Sequence, residues 1–113
     1  MSKLVCYKQF AIWQRKTITL ALMERHNTKE GTWAQLTIFR GSLQFVIFDE
    51  NGDEQQYHFD VKYQPIQIQP QVWHKIKSVS DDIECQLSFY YREEDLFYKK
   101  WSYTSTFRSM YSG

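Results

Sequence analysis

The strictest pattern in this chain is an alternation of apolar and polar side chains over residues 83–91. One phase holds the mainly apolar side chains Ile83, Cys85, Leu87, Phe89 and Tyr91. Successive side chains of a β-strand point to opposite faces, so a period of two predicts a half-buried strand. An aromatic content of 18% also suits strands better than helices. The chain is therefore expected to be rich in β-structure.

Weaker alternations predict further strands, separated by turn-forming residues. These strands cover residues 5–9, 17–26, 32–40, 43–48, 55–59, 63–69 and 73–79. Gly41-Ser42 is typical of a two-residue turn with glycine first, and Asn51-Gly52 is the strongest hairpin signal in the chain. With no βαβ spacing, the pattern predicts an all-β sandwich or small barrel. We expect a barrel of the jelly-roll type, because it encloses a cavity in which inward polar groups can meet.

The one helical signal lies near the C-terminus, over residues 92–101. Acidic side chains at 93–95 and lysines at 99–100 suit the two ends of a helix dipole. At 113 residues the chain is long enough for one core, so we expect a single domain over residues 1–101 and a tail over 102–113.

Charge and composition exclude several classes of function. A net charge of +1, from 14 basic and 13 acidic residues, gives no field for capturing nucleic acid or an anionic membrane. With neither a signal-peptide run nor 18 consecutive apolar residues, the expected location is the cytoplasm. In a reducing compartment, Cys6 and Cys85 are expected to be free thiols. No glycine-rich loop and no GxSxG occur, so neither S-adenosylmethionine binding nor serine hydrolysis is expected.

Two of the three histidines share the phase of apolar neighbours. His26 follows Leu20 and Leu22, while His74 lies between Val72 and Ile76 after a turn led by Pro70. Imidazole is the commonest transition-metal ligand in proteins, and histidines from separate strands can converge on one ion. Glu24 lies two residues before His26 and would present a carboxylate on the same face. The alternative is that both histidines are structural and hydrogen-bonded to the backbone or to Glu24.

Many short stretches resemble, in order and spacing, the N-terminal domain of tellurite-resistance proteins of the TehB family. The matching stretches are residues 6–9, Trp13, 26–29, 31–33, 50–53, 70–74, 80–82, 84–85 and 89–90. The resemblance extends over residues 4–101. It implies a cupin-like β-barrel, in which the family's Glu-Arg-His and Trp-His elements are matched by Glu24-Arg25-His26 and Trp73-His74.

In that family the domain precedes an S-adenosylmethionine-dependent methyltransferase that acts on tellurite, and this chain stops where the second domain would begin. The resemblance therefore implies a stand-alone form that is not itself a methyltransferase and whose partner is a separate methyltransferase. The full cupin pattern has two near-adjacent histidines in its first motif. Here Thr28 and Glu30 stand where the second would be sought.

The leading hypothesis is a cupin-like, tellurite-resistance-associated domain that binds a small ligand or a metal ion through His26, His74 and Glu24. The metal would be a divalent transition ion such as Zn, Fe, Ni or Mn. One alternative is a metal-dependent cupin enzyme with Glu24 as ligand or base. Another is an interaction module that forms a homodimer through aromatic side chains, with structural histidines.

Overall fold

The computed structural model describes residues 3–64 and 67–95, which form two antiparallel sheets and one short helix. In chain order the elements are β1 (Leu4–Gln9), β2 (Trp13–Gln14), α1 (Leu20–Met23), β3 (Trp33–Arg40), β4 (Ser42–Phe48), β5 (Glu54–Asp60), β6 (His74–Val79) and β7 (Glu84–Arg92). A 3₁₀ turn over Glu93–Asp95 follows β7.

The first sheet is built around β7, the strand with the strictest alternation. Strands β1 and β2 both pair with one edge of β7, and β3 pairs with the other edge. Cys85 consequently lies between Trp13 and Ile38 in register. The side chains Ile83, Cys85, Leu87 and Phe89 are all buried. The prediction of a half-buried strand over residues 83–91 is confirmed.

The second sheet has the order β5-β4-β6. The predicted hairpin between β4 and β5 is confirmed, and Gly52 adopts a φ of +85° at its tip. The Asp49 carboxylate accepts hydrogen bonds of 2.9 Å from the backbone N–H groups of Asn51 and Asp53, which fixes the turn. Gly41, with a φ of +79°, connects β3 of the first sheet to β4 of the second.

Apolar side chains from both sheets form a single core. It contains Leu22, Ala34, Leu36, Ile38, Leu43, Phe45, Phe59, Ile68, Ile76, Ile83, Cys85, Leu87 and Phe89. Two isolated β-bridges, Ala34 with Ile68 and His26 with His74, add backbone pairing outside the named strands. Both cysteines are free thiols, as expected, with Cys6 exposed and Cys85 buried.

The prediction of a strand over residues 17–26 is wrong, because this segment contains a turn, α1 and an extended end. Leu20 is 79% exposed and Leu22 only 3%, which contradicts a shared strand face. Leucine, alanine and methionine, which form this helix, are among the residues with the highest helix propensity. The helix ends at Met23, because the backbone of the C-cap residue Glu24 is already extended (φ −102°, ψ 155°).

Three other expectations are met only in part. The chain is mainly β-structure, but its described strands form two sheets rather than one closed barrel. Within the predicted strand 63–69, only Ile68 pairs with another segment, and residues 65–66 lie outside the described part. The predicted helix over 92–101 begins instead as strand and 3₁₀ turn, while residues 96–101 and the tail fall outside the described residues. No helix in the described ranges combines the length and apolarity needed to cross a membrane.

Candidate functional site

Two adjoining extended segments bring His26 and His74 together. The backbone N–H of each histidine donates to the carbonyl of the other, at 2.9 Å from His26 to His74 and 2.8 Å in the reverse direction. Further along, the N–H of Gln71 donates to the Thr28 carbonyl at 3.1 Å. Gln71 holds a φ of 66° in the turn led by Pro70, and this turn directs the chain into the bridge. We call this pair of segments the histidine bridge.

The two imidazole rings are held in the same way. Nδ1 of His26 donates to the Glu24 carbonyl at 2.8 Å, and Nδ1 of His74 donates to the Val72 carbonyl at 2.7 Å. A carbonyl oxygen can only accept, so the proton of each neutral ring is placed on Nδ1. Nε2 of each ring then carries a lone pair, and no described residue donates a hydrogen bond to it. The ring centroids are 4.3 Å apart in an edge-on arrangement.

Both histidines are neutral at neutral pH. Burial lowers the pKa of His74 to about 3, with a further lowering by coulombic repulsion from His26 in its protonated form and a partial offset by the Val72 carbonyl. Burial also lowers the pKa of His26, against the opposing effect of its bond to the Glu24 carbonyl. A neutral imidazole is the form that ligates metals. The bridge therefore supplies two metal-competent rings without prior loss of a proton.

The two rings face a small cavity that is otherwise apolar. Its volume is about 20 Å³. It is lined by Leu22, His26, Ala34, Leu36, Phe45, Ile68, His74, Ile76 and Leu87. A space of this size holds about one water molecule or one ion. The Phe45 ring stacks on His74 with centroids 5.6 Å apart, which fixes that ring from the side of β4.

Of the three residues predicted for the site, the structure brings together His26 and His74 but not the Glu24 side chain. Glu24 is exposed and does not line the cavity, and it is its backbone carbonyl that contacts His26. Within residues 3–64 and 67–95, no group of three or more His, Cys, Asp or Glu side chains is placed to share a metal ion. The involvement of Glu24 stays a prediction.

Two other side chains of metal-ligating type, Cys85 and His58, lie outside the cavity. Cys85 is fully buried, and burial raises the pKa of its thiol to about 11, so it is a protonated core side chain outside the cavity. His58 is exposed and accepts a 2.7 Å hydrogen bond from the Gln44 amide. Sequence reasoning missed the apolar lining from β3, β4 and β7, because such residues carry no chemical signal that separates lining from core.

Comparisons with known proteins agree with this architecture over most of the chain. Residues 8–87 match the TehB-like domain family. The chain is 41% identical over 105 residues to the probable S-adenosyl-L-methionine-dependent methyltransferase TehB of Haemophilus influenzae strain KW20, and 40% identical to that of strain 10810. The alignment covers 92% of this chain but only 37% of each relative. The matched part of the KW20 protein is its N-terminal part.

Solved structures show the same relationship. The crystal structure of TehB from H. influenzae superposes with a TM-score of 0.79 at 41% identity, over 88% of this chain and 35% of that one. A structural-genomics protein from Escherichia coli K12 has a TM-score of 0.66 at 22% identity, over 77% of this chain and 89% of its own. WlaRA, a TDP-fucose-3,4-ketoisomerase from Campylobacter jejuni, has a TM-score of 0.52 at 14% identity, over 83% and 73%. The last two show similarity of fold alone. Family match and identity together place this chain in the TehB-like domain family.

Proposed function

We propose that this TehB-like domain is a cytoplasmic, tellurite-resistance-associated binding domain that holds one divalent transition-metal ion at the histidine bridge. The observation that carries the proposal is the pair of buried Nε2 atoms, which have no hydrogen-bond donor among the described residues. A buried polar atom without a partner costs free energy, and a metal ion would satisfy both. Imidazole nitrogen suits Zn, Fe and Ni, and less strongly Mn.

The chemistry of the cavity favours a cation over an anion. Two neutral rings with Nδ1–H turned to the backbone offer lone pairs, which attract a cation or a proton donor and repel an oxyanion. The walls otherwise consist of apolar side chains. His26 and His74 would be the two protein ligands, and water or a small ligand would complete the coordination. Such an ion supplies Lewis acidity when bound.

The cupin-like jelly roll remains part of this proposal. Its support is the pair of antiparallel sheets around one core, together with the histidine bridge, which adds a backbone pair at the edge strand β6. In a cupin-like barrel, ligands are held at one mouth by side chains from separate strands.

The test of the metal site is elemental mass spectrometry of the purified, untagged chain after loading with each metal and dialysis. His26→Asn and His74→Asn are the informative variants, because the amide N–H of asparagine can replace the Nδ1–H donor while Nε2 is lost. His58→Asn is the matched control on an exposed histidine. We expect near-stoichiometric metal in the parent and the control, and about a tenth or less in the two bridge variants.

Equal metal content in parent and bridge variants, with circular dichroism showing folded protein in each, would rule out the histidine bridge as the metal site. Absence of metal from the parent after loading would have the same consequence. A small organic ligand would then be sought by mass spectrometry of the native protein.

The alternative of a metal-dependent enzyme is less well supported by the size of the cavity. Small-molecule sites occupy roughly 300–1,000 Å³, whereas the space at the two rings measures about 20 Å³. A substrate would require the lining side chains to move. An activity screen of the metal-loaded chain tests this alternative, and turnover that disappears in His74→Asn would favour it over simple binding.

A second proposed role is association with a separate methyltransferase. Its support is the alignment with the N-terminal part of a probable S-adenosyl-L-methionine-dependent methyltransferase. We expect this chain to co-elute in size-exclusion chromatography with a TehB-type methyltransferase domain supplied as a separate polypeptide. Separate elution at concentrations well above the micromolar range would contradict this role.

The interaction-module alternative, a homodimer with purely structural histidines, draws on exposed aromatic side chains. These include Phe39, Tyr57, Tyr63 and Trp73. Aromatic residues are enriched at protein interfaces. Analytical ultracentrifugation at high protein concentration tests this alternative. A chain that stays monomeric would contradict it.

A further inference from the structure

Arg25, the residue before His26, lies over two aromatic rings. Its guanidinium carbon is 4.8 Å from the ring centroid of Phe48 and 4.9 Å from that of Trp73. The Nζ of Lys75 lies 5.9 Å from the same Phe48 centroid. The backbone N–H of Phe48 donates to the Trp73 carbonyl at 2.9 Å, so the two rings are held by adjoining backbone. We call Arg25, Phe48, Trp73 and Lys75 the cationic cluster.

No Asp or Glu side chain in the described part of the chain forms an ion pair with either of these two cations. All 13 Asp and Glu residues fall within the described ranges, because positions 1, 2, 65, 66 and 96–113 contain none. Ion pairs in this part of the chain join carboxylates to Arg15, Arg40 and Arg92. No described carboxylate lies within ion-pair distance of Arg25 or Lys75. Arg25 is thus the one arginine in residues 3–64 and 67–95 that contacts aromatic rings instead of an acid.

The nearest acidic residues in sequence do not neutralise the cationic cluster. Asp49 follows Phe48, but its carboxylate accepts the turn N–H groups of Asn51 and Asp53. Glu24 precedes Arg25, and its side chain is exposed with no ion pair to any described residue. The two positive charges therefore remain uncompensated by any described carboxylate, with Arg25 exposed and Lys75 half-buried beside the Phe48 ring.

This arrangement is suited to an anion. A guanidinium that contacts aromatic rings loses rotational freedom, while its N–H donors stay available for an oxygen ligand. No described acceptor receives a hydrogen bond from the Arg25 side chain. Two cations near one ring repel each other, and a ligand with two negative charges would relieve that repulsion while gaining charge-assisted hydrogen bonds.

We propose that the cationic cluster is a binding site for a small dianionic oxyanion, contacted by Arg25 and Lys75, with Phe48 and Trp73 holding Arg25 in place. The site uses neither Nε2 of the histidine bridge, so it is independent of the proposed metal. Metal-free protein is sufficient to test it.

The test is an NMR titration of the metal-free chain with sodium sulfate, at constant ionic strength adjusted with sodium chloride. We expect saturable shifts of the Arg25 Nε–H and Trp73 indole N–H signals. Arg25→Gln and Lys75→Gln each remove one charge and should raise the apparent Kd for sulfate, Arg25→Gln by about tenfold or more. Lys77→Gln is the matched control, because Lys77 lies two residues along β6 and contacts none of the cluster's rings.

Three results would overturn the proposal. Shifts that grow linearly without saturation would indicate an adventitious ion only. An equal loss of affinity in Lys77→Gln and Lys75→Gln would indicate an effect of net charge rather than of a built site. Acetate binding as tightly as sulfate would contradict the dianionic class. Arg25 and Lys77 are exposed and Lys75 is half-buried, so folding of each variant is expected and is checked by circular dichroism.

Discussion

The two faces of the histidine bridge have opposite chemistry, although they are built from adjacent residues. His26 and His74 point into the core as neutral rings. Arg25 and Lys75, their neighbours in sequence, carry their charges over the half-buried ring of Phe48, and Arg25 also contacts the ring of Trp73. The inner face offers lone pairs to a cation, and the outer face offers cations to an anion. Successive side chains of an extended segment point to opposite faces, so adjacent residues contribute to the proposed cation site on one face and the proposed anion site on the other.

The largest difference between the faces is expected in the free energy of unfolding. His74→Ala removes a buried ring that contacts Phe45 and His26, and should cost about 3 kcal/mol through lost packing and an enlarged cavity. Lys75→Ala, one residue along β6, should cost less than about 1 kcal/mol. Urea unfolding followed by circular dichroism measures both. Similar losses for the two variants would show that the inner ring is poorly packed.

The two turn glycines, Gly41 and Gly52, differ in the space available for a side chain. A Cβ at Gly41 would lie 2.4 Å from Ser80 Oγ and 2.6 Å from Asp82 Oδ1, whereas one at Gly52 meets nothing within 4 Å. The Ser80 hydroxyl cannot move freely, because it accepts from the Ser42 N–H and donates to Asp82.

Both glycines have positive φ, so alanine carries a backbone cost of about 1–2 kcal/mol at either position. Gly41→Ala should lose about 1–2 kcal/mol more than Gly52→Ala because of crowding. Thermal or urea unfolding gives the difference. Equal losses would mean that the Ser80 turn shifts without cost.

The neutrality of the inner face predicts a dependence of stability on pH. The pKa of His74 is about 3 in the folded chain and near 6.5 when unfolded, so between these values the unfolded state binds the extra proton. The contribution of His74 to the free energy of unfolding is constant above pH 6.5. Below pH 6.5 it decreases by about 1.4 kcal/mol for each pH unit of acidification. Near pH 5 the loss is about 2 kcal/mol. His26, whose pKa is also lowered, acts in the same direction.

Measurement on metal-free protein separates this effect from that of metal release. The difference between the parent and His74→Asn isolates the histidine from the carboxylates, which titrate in both proteins. The stability of His74→Asn should therefore fall less steeply between pH 6 and pH 4. Parallel pH profiles would show that His74 is protonated in the folded chain at ordinary acidity.

The smallest expected effect concerns the outer face. Arg25→Ala removes contacts with the rings of Phe48 and Trp73 and should cost about 1 kcal/mol. Arg15→Ala, which removes an exposed ion pair with Asp81, should cost less than about 0.5 kcal/mol and lose even that at high salt. Chemical unfolding at low and high salt distinguishes them. A cost for Arg25→Ala that vanished with salt would contradict the ring contacts.

Much of the sheet structure could be predicted from the alternation of apolar and polar residues, because a strand with one buried face has apolar side chains at every second position. Residues 83–91 and the Asn51-Gly52 hairpin are examples. The same criterion gave a wrong prediction for residues 17–26, because a short apolar segment is compatible with both a strand and a helix. The inward position of His26 was nevertheless predicted, although its backbone bridge to His74, and not a long strand, produces it.

The site was predictable only at the level of the two histidines. Their phase indicated burial, and burial is observed for both. The role of the Glu24 carbonyl in place of its carboxylate depends on the local backbone path, which composition does not encode. The cationic cluster was missed because Arg25 and Phe48 are distant in sequence and meet only when the bridge and β4 are aligned.

The pairing of β7 with β1 has a consequence for biosynthesis. Leu4 pairs with Arg92, so the first sheet joins the beginning of the described chain to its end. The β4–β5 hairpin of the second sheet, by contrast, forms from neighbouring residues. On the ribosome the hairpin can fold early, whereas β1 must wait, unpaired, until nearly the whole domain has emerged. During translation β1 is therefore the strand that most needs protection from wrong pairing.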